Sequence, residues 1–398
     1  MSHSSLDSGH STGPDAVRPW RIAYPQTDLD DLRERLRKTR WPEPATVPGW
    51  TQGVPLEYLR ELCAYWAEEY DWRAAERRIN RLPQYRTDID GVGIHFVHAR
   101  SPHPDAMPLI LTHGWPGSFL EFEEVIGPLT NPTAHGGQAA DAFHVVVPSL
   151  PGFGFSGRPA EQGWDTERIA AAWAELMARL GYERYGAQGG DWGSMVTTAL
   201  AEQHGARVAG IHLSAPPVGP DPGTLDELTE PEKAALATME VFQRSGSGYS
   251  AMMSTRPQTV GYALLDSPVG LCAWIVEKLQ AWSDCDGVPE NALTRDRILD
   301  TVTLYWLTAT AASSARLYWE GFPDAAEQSG WRAPQPVATP TGGTVFPADM
   351  LRPSRRWAER RYPNLRYWSE PDRGGHFPAA EQPDLFTAEL RAFFDLIR

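Results

Sequence analysis

The stretch YGAQGGDWGSMV sets Asp191 among glycines in the order Gly189-Gly190-Asp191-Trp192-Gly193. The spacing G-x-nucleophile-x-G normally holds a serine on a sharp strand-to-helix turn. Here a carboxylate stands in the serine's place. Two more residues follow downstream: Asp349 in TVFPADMLRP, and His376 in DRGGHFPA. Nucleophile, acid and histidine in that chain order form a set able to do covalent chemistry. Bland readings exist for each residue alone. A turn aspartate commonly caps the next helix, and a histidine in GGHF is commonly just a turn residue. The three together favour chemistry over those readings.

A carboxylate nucleophile suits substitution at a saturated carbon. Attack by Asp191 gives an ester whose carbonyl belongs to the protein, so His376 can aim water at it. Asp349 would orient the imidazole and steady its positive charge. A serine would leave an ether that water cannot cleave. The segment LTHGWPGS, at the end of a strand-like run, is placed to lend the backbone N–H of Trp115 to the oxyanion. The residue after the nucleophile, Trp192, is placed to lend a second. His113, just before that loop, is expected to be structural and hydrogen-bonded. The leaving group is either a halide or an epoxide oxygen, and the latter opens to an alkoxide that needs a proton donor. Tyr249 in SGSGYSAMM and Tyr318 in SSARLYWE are suitable phenols, although composition does not select them from 13 tyrosines.

These residues need elements to position them. Apolar runs in MPLILTHG (107–114) and FHVVVPSL (143–150) suit strands buried on both faces of a parallel sheet. GVGIHFVHAR (91–100) alternates like an edge strand. RYGAQGGD reads as a strand entering the turn at Asp191, WGSMVTTALAEQHG as the helix leaving it, and RVAGIHLS as the next strand. DTERIAAAWAELMARLG reads as a helix with Asp165 at its N-cap. The series predicts an α/β domain with a mostly parallel central sheet. It breaks at APPVGPDPG, after which residues 221–330 read as helical, a lid over the strand ends. The sheet resumes in 331–398 with PVATPTGGTVFP and LRYWSEPD and closes with a helix. Residues 91–220 are then the first part of the core. Residues 1–16 read as a flexible tail, and 17–90 as a helical arm packed on the core. In that arm Thr27 and Asp30 have near-capping-box spacing, Leu29, Leu32 and Leu36 share a face, and PLEYLRELCAYWAEEYDWRAAERRIN predicts a second helix.

Composition narrows the class. The chain has 398 residues, 41% hydrophobic and 22% charged, ordinary for a globular protein. A net charge of -15 argues against nucleic-acid or anionic-membrane partners. The basic run RRWAERR (355–361) is expected to be a solvated helix face. Three cysteines, Cys63, Cys272 and Cys285, form no metal-site spacing and suggest reduced thiols. No apolar run is long enough to span a membrane, and no secretory signal opens the chain. A cytoplasmic protein without a membrane anchor is the expectation, and a homodimer stays open.

HGWPGS, PSLPGFGFS, QGGDWGS, TVGYALLDSPVGLCAWIVEK, YWLTATAASSARLYWE and RGGHF together resemble the microsomal-type epoxide hydrolases of the α/β-hydrolase fold. The likeness runs from about residue 20 to the carboxyl terminus. It implies Asp191 as nucleophile, His376 as base, Asp349 as acid, and Tyr249 and Tyr318 as the paired tyrosines that activate the ring oxygen. It implies backbone N–H groups of Trp115 and Trp192 in the oxyanion hole, and a reaction needing neither cofactor nor metal. Its substrates would be water and a small hydrophobic epoxide, cis or aryl, giving a vicinal diol. Some relatives carry an amino-terminal membrane anchor that is expected to be missing here. A narrower likeness, to members that open arene-linked epoxides in enediyne antibiotic biosynthesis, rests on length and composition; detoxification is the other role such enzymes suggest. Haloalkane dehalogenase, with the same aspartyl ester, is the enzymatic alternative. A ligand-binding protein on a retired scaffold is the non-enzymatic one.

Overall fold

The computed structural model describes residue 13, residues 16–322 and residues 335–398. Most of the expected tail (1–16) and the expected junction at 330/331 lie outside the described residues. The strands are β1 (Arg18–Pro19), β2 (Gln84–Ile89), β3 (Val92–Ala99), β4 (Met107–Thr112), β5 (Phe143–Pro148), β6 (Tyr185–Gly190), β7 (Val208–Ser214), β8 (Thr341–Thr344) and β9 (Leu365–Ser369). They form one sheet in the order β1-β2-β3-β5-β4-β6-β7-β8-β9. The run from β5 to β9 is parallel, while β1, β2 and β3 add an antiparallel margin. The apolar runs behave as expected: Leu109, Ile110, Leu111, Val145, Val146 and Val147 are fully buried, as strands covered on both faces must be.

Strand order places the site. From β4 the chain steps one way to β5 and then back across to β6 on the other side. In open α/β sheets the crevice at such a reversal, beyond the carboxyl ends of the strands, receives ligands. The segments leaving β4 and β6 there are the HGWPG loop and the turn at Asp191. Thr112 and Gly189 are register partners, so the two loops start side by side.

Between β7 and β8 the described chain is helical, with Glu230–Val241, Gly248–Thr255, Pro257–Asp266, Pro268–Trp282, Arg295–Thr308 and Ala311–Gly321 as its α-helices. Among the described residues no single helix is long and apolar enough to cross a membrane; the pair Pro257–Asp266 and Pro268–Trp282 is apolar but bent by 116°.

Several expectations change. GVGIHFVHAR forms β3, but β3 lies inside the sheet between β2 and β5. The outermost strand is the two-residue β1, and inside it β2 carries the sequence QYRTDI, which has no apolar alternation. Its inward Gln84 is buried because both ends of its amide are used: Nε2 donates to Ile79 O, and Oε1 accepts from His95 Nε2 at 3.0 Å. Buried polar groups with partners are tolerated, and hydropathy does not see them. The 17–90 segment is thus not purely helical. Its second helix is two, Leu56–Glu68 and Trp72–Ile79, the latter capped by Asp71 accepting from the Arg73 N–H. The first helix begins at Gln26 after Pro25 with no side-chain cap, so Thr27 sits in the first turn and no capping box forms. Leu29, Leu32 and Leu36 are its buried face as expected. Asp165 caps Thr166–Arg179 through the Arg168 N–H. RRWAERR is more than a solvated face. Trp357 and Ala358 are buried. Arg356 pairs with buried Glu232 at 2.5 Å, Arg361 with Glu202 at 2.7 Å, and Arg360 with Asp221.

Candidate active site

Asp191 joins β6 to the helix Trp192–His204 with φ 52° and ψ −129°. Positive φ is costly for a residue with a side chain, and such strain collects at functional turns. Two glycines make the turn possible. A Cβ at Gly193 would strike the Thr112 carbonyl, and one at Gly114 would strike the Asp191 carboxylate. The carboxylate does not cap the helix it precedes. The bland reading of Asp191 as a capping residue therefore fails.

The side chain instead turns to the HGWPG loop. The Trp115 N–H donates to Asp191 Oδ1 at 2.8 Å. Among the described residues no hydrogen bond joins the Trp192 N–H to the Asp191 carboxylate, although Trp192 opens the helix directly beside it. The loop is braced by Tyr305, whose hydroxyl donates to Gly117 O at 2.9 Å, and by a capping box between Ser118 and Glu121. His113 is held at both ends. Its Nδ1 is 2.9 Å from Gly114 O, and its Nε2 accepts from the Leu150 N–H at 3.1 Å. Burial pushes its pKa down to about 4, so it stays neutral and structural.

His376 follows β9 on the loop after Gly374. Its Nδ1 is 3.0 Å from Asp349 Oδ1, and Asp349, from the loop after β8, is itself 4% exposed. Its Nε2 is 3.3 Å from Asp191 Oδ2, without the alignment of a hydrogen bond. The structure thus brings Asp191, Asp349 and His376 together in one line. Burial alone would depress the imidazole pKa. The hydrogen-bonded Asp349 carboxylate and the nearby charge of Asp191 outweigh burial and hold it well above the ordinary value.

Tyr249 and Tyr318 come from the helices Gly248–Thr255 and Ala311–Gly321 and are 6% and 2% exposed. Their rings lie 5.7 Å apart. Trp115 stacks on Tyr249 at 5.0 Å and meets Tyr318 edge-on at 5.9 Å. Trp192 packs edge-on to Tyr318 at 4.9 Å, and Trp282 touches both Tyr249 and His376. The result is an aromatic enclosure above the carboxylate. Burial first, and then nearby groups that include Asp191, push both phenol pKa values up, so the hydroxyls keep their protons.

Two carboxyls here escaped the sequence reading. Glu121 faces the same site, and burial raises it to about 8. The spacing Ser118-x-x-Glu121 is a capping-box signature and marks its position in the sequence. Glu381 accepts from the Phe377 and Asp284 N–H groups at 2.8 Å each, tying the histidine loop to the end of the helix Pro268–Trp282. Burial raises it to about 7. No local signal announces Glu381.

Residues 17–122 match the family model for the epoxide hydrolase N terminus, and residues 107–383 match that for the alpha/beta hydrolase fold. Epoxide hydrolase 1 of Sus scrofa is 35% identical over 96% of this chain and 89% of its own length. The chain belongs to the epoxide hydrolase family. A Stigmatella aurantiaca (strain DW4/3-1) member, named provisionally as an epoxide hydrolase, is 56% identical over 96% of this chain and 86% of its own. Among solved structures, the Aspergillus niger epoxide hydrolase superposes with a TM-score of 0.84 at 34% identity, covering 96% of this chain and 97% of that one. The juvenile hormone epoxide hydrolase of Bombyx mori gives 0.87 at 30% identity, covering 96% and 95%. The α/β-hydrolase fold implied by the resemblance is thereby shown, and residues 17–122 match the family's own N-terminal region.

Proposed function

We propose that this epoxide hydrolase family member converts a small hydrophobic epoxide and water to a vicinal diol through an ester on Asp191, without a cofactor. The observation that carries the reading is the carboxylate of Asp191, held at 2.8 Å by the Trp115 N–H, beneath two buried tyrosines.

In the first step Asp191 Oδ2 attacks a ring carbon and the carbon–oxygen bond of the ring breaks. The departing oxygen takes a proton from Tyr249 or Tyr318. Asp191 Oδ1 becomes the ester carbonyl oxygen and stays on the Trp115 N–H. The negative charge of Asp191 is consumed in this step. That charge is one of those holding the proton on His376, so after alkylation the imidazolium gives its proton up, which returns the tyrosinate to a phenol and leaves the imidazole free to act as base. In the second step water gives a proton to His376 Nε2 and attacks the Asp191 carbonyl carbon. The developing oxyanion sits on Oδ1, where the Trp115 N–H already points. Asp349 steadies the imidazolium. Collapse expels the diol oxygen, which takes the proton from His376, and the proton left on the Asp191 carboxyl then passes to His376, which restores the resting pair.

The paired phenols favour an epoxide over a halide, because a halide leaves without a proton. The test is the origin of oxygen in a single turnover of styrene oxide in ¹⁸O-water with enzyme in excess. The diol is expected to carry unlabelled oxygen, and the label to appear in the peptide containing Asp191. Immediate labelling of the diol, with an unlabelled peptide, would show direct attack by water and overturn the ester. Turnover of a short haloalkane in place of styrene oxide would move the assignment to dehalogenation, and turnover of neither to a binding protein.

A further inference from the structure

The Asp191 ester must meet one water molecule, and a cavity of about 20 Å³ opens beside it. That is room for a single water. Its walls include Trp115, Asp191, His376, Glu121, Gln188 and Ser214. Three polar groups in those walls have capacity to spare. His376 Nε2 has no aligned hydrogen bond. Gln188, three residues before the nucleophile on β6, is 1% exposed. It spends its amide nitrogen on Ser214 Oγ at 3.4 Å, while its Oε1 has no partner. Glu121 commits Oε1 to the Ser118 N–H at 3.1 Å, which leaves Oε2 for the cavity.

We propose that Glu121, with Gln188 beside it, seats the water that hydrolyses the Asp191 ester. The proposal rests on the ester reading above. The geometry of attack sets the requirement. One hydrogen of the water must point to His376 Nε2, and a lone pair must face the Asp191 carbonyl carbon. The second hydrogen then needs an acceptor, and Glu121 Oε2 and Gln188 Oε1 are the acceptors the cavity offers. A water with two to four polar partners is held well enough to count as part of the structure. Glu121 rides on the turn Phe119–Phe122, directly after the loop that presents the Trp115 N–H. One segment thus carries both the oxyanion donor and the water seat. Burial first, and the charge of Asp191 with it, raise the Glu121 carboxyl to about 8 against the opposing pull of His376.

Glu121→Gln keeps an oxygen for the Ser118 N–H but turns an NH₂ toward the cavity, a donor where the water needs an acceptor. Rapid quenching and intact-mass analysis in a single turnover of styrene oxide read ester formation and ester decay separately. Formation is expected to stay within about twofold of the parent, because the seat plays no part in it. Decay is expected to slow on the order of tenfold to a hundredfold, the worth of one hydrogen bond to the reacting water. The adduct then accumulates in the steady state. Gln188→Leu is expected to move the same step in the same direction, and carries the test alone if Glu121→Gln does not fold. Ser118→Ala loosens the turn but keeps the carboxyl, and should leave decay near the parent rate. Unchanged decay in Glu121→Gln and Gln188→Leu would overturn the seat. So would a Ser118→Ala variant that matches Glu121→Gln, since Glu121 would then be only a cap. His376→Gln is run alongside. If it traps no ester, the covalent reading itself fails and the seat falls with it; if it traps ester, the outcomes above concern the seat alone.

Discussion

In the proposed mechanism Tyr249 and Tyr318 decide between an alkoxide and a halide as leaving group. Both hydroxyls are held protonated by burial and by neighbours that include the Asp191 charge. As Asp191 attacks, that charge disappears, so the phenols become better acids while the ring oxygen gains its electron pair. Replacing either by phenylalanine is expected to slow ester formation by about 1–3 kcal/mol, the worth of a buried donor to a developing anion. The double variant should nearly abolish opening while its circular dichroism and melting stay close to the parent. Ester formation at the parent rate in that variant would make the tyrosines packing residues. At this scale the positions that come together were legible: Asp191, His376 and Trp115 stand beside glycines that the turns demand, and Asp349 follows the preceding strand. Glu381 and Gln188 were not, because their roles arise from neighbours distant in sequence, such as Asp284 and Ser214.

The helix Arg295–Thr308, which leads into the helix that carries Tyr318, is fixed to the N-terminal segment. Tyr70 donates to Asp300 Oδ1 at 2.7 Å, and Trp66 Nε1 donates to Thr303 Oγ1 at 2.9 Å, both on the helix Arg295–Thr308. Arg78 pairs with Asp300 and, at 2.8 Å, with Glu123, which Arg297 also grips at 2.5 Å. Asp300 has a side chain 2% exposed, so removing it leaves Arg78 and Tyr70 without their shared acceptor. Breaking one side of a buried charged pair costs about 3–5 kcal/mol. Asp300→Ala is therefore expected to lower the unfolding free energy by about that amount in a denaturant titration. A loss under about 1 kcal/mol would mean the pair is solvent-screened and holds little. The helical faces behind this docking were legible as leucine spacing. The polar network was not, since nothing in the sequence pairs Tyr70 with a residue 230 positions away. The strand β2 leaves no mark for a related reason. Gln84 and Thr87, on opposite faces of it, are polar and buried, so alternation of hydropathy does not reveal it.

Across the whole molecule the buried titratable groups set opposing demands on pH. His95, His113 and His212 are pushed by burial from 6.5 to about 3, 4 and 3. Their folded values lie below their unfolded ones, so the native state binds fewer protons there. Stability from this set is lost as pH falls from about 6.5 toward those values. Glu121 and Glu381 shift the other way, from 4.5 to about 8 and about 7, with burial the leading cause in each. Their folded values lie above the unfolded ones, so the native state holds the proton more tightly. That advantage is complete below about 4.5 and is lost as pH rises through the folded values. His376, raised by its two carboxylates, adds to the same alkaline loss, and so does self-repulsion from a net charge of -15. The two limbs overlap between 4.5 and 6.5, and the maximum of the thermal midpoint is expected in that interval. Melting curves from pH 4 to pH 9 test the shape. Glu121→Gln supplies the sharper check, because it removes one titrating group from the alkaline limb and none from the acid limb. Its midpoint should fall less than the parent's between pH 6 and pH 8.5, and equally below pH 5. Parallel alkaline slopes in the two proteins would show that Glu121 is already ionised in the resting site, and that its neighbours, not burial, govern its charge.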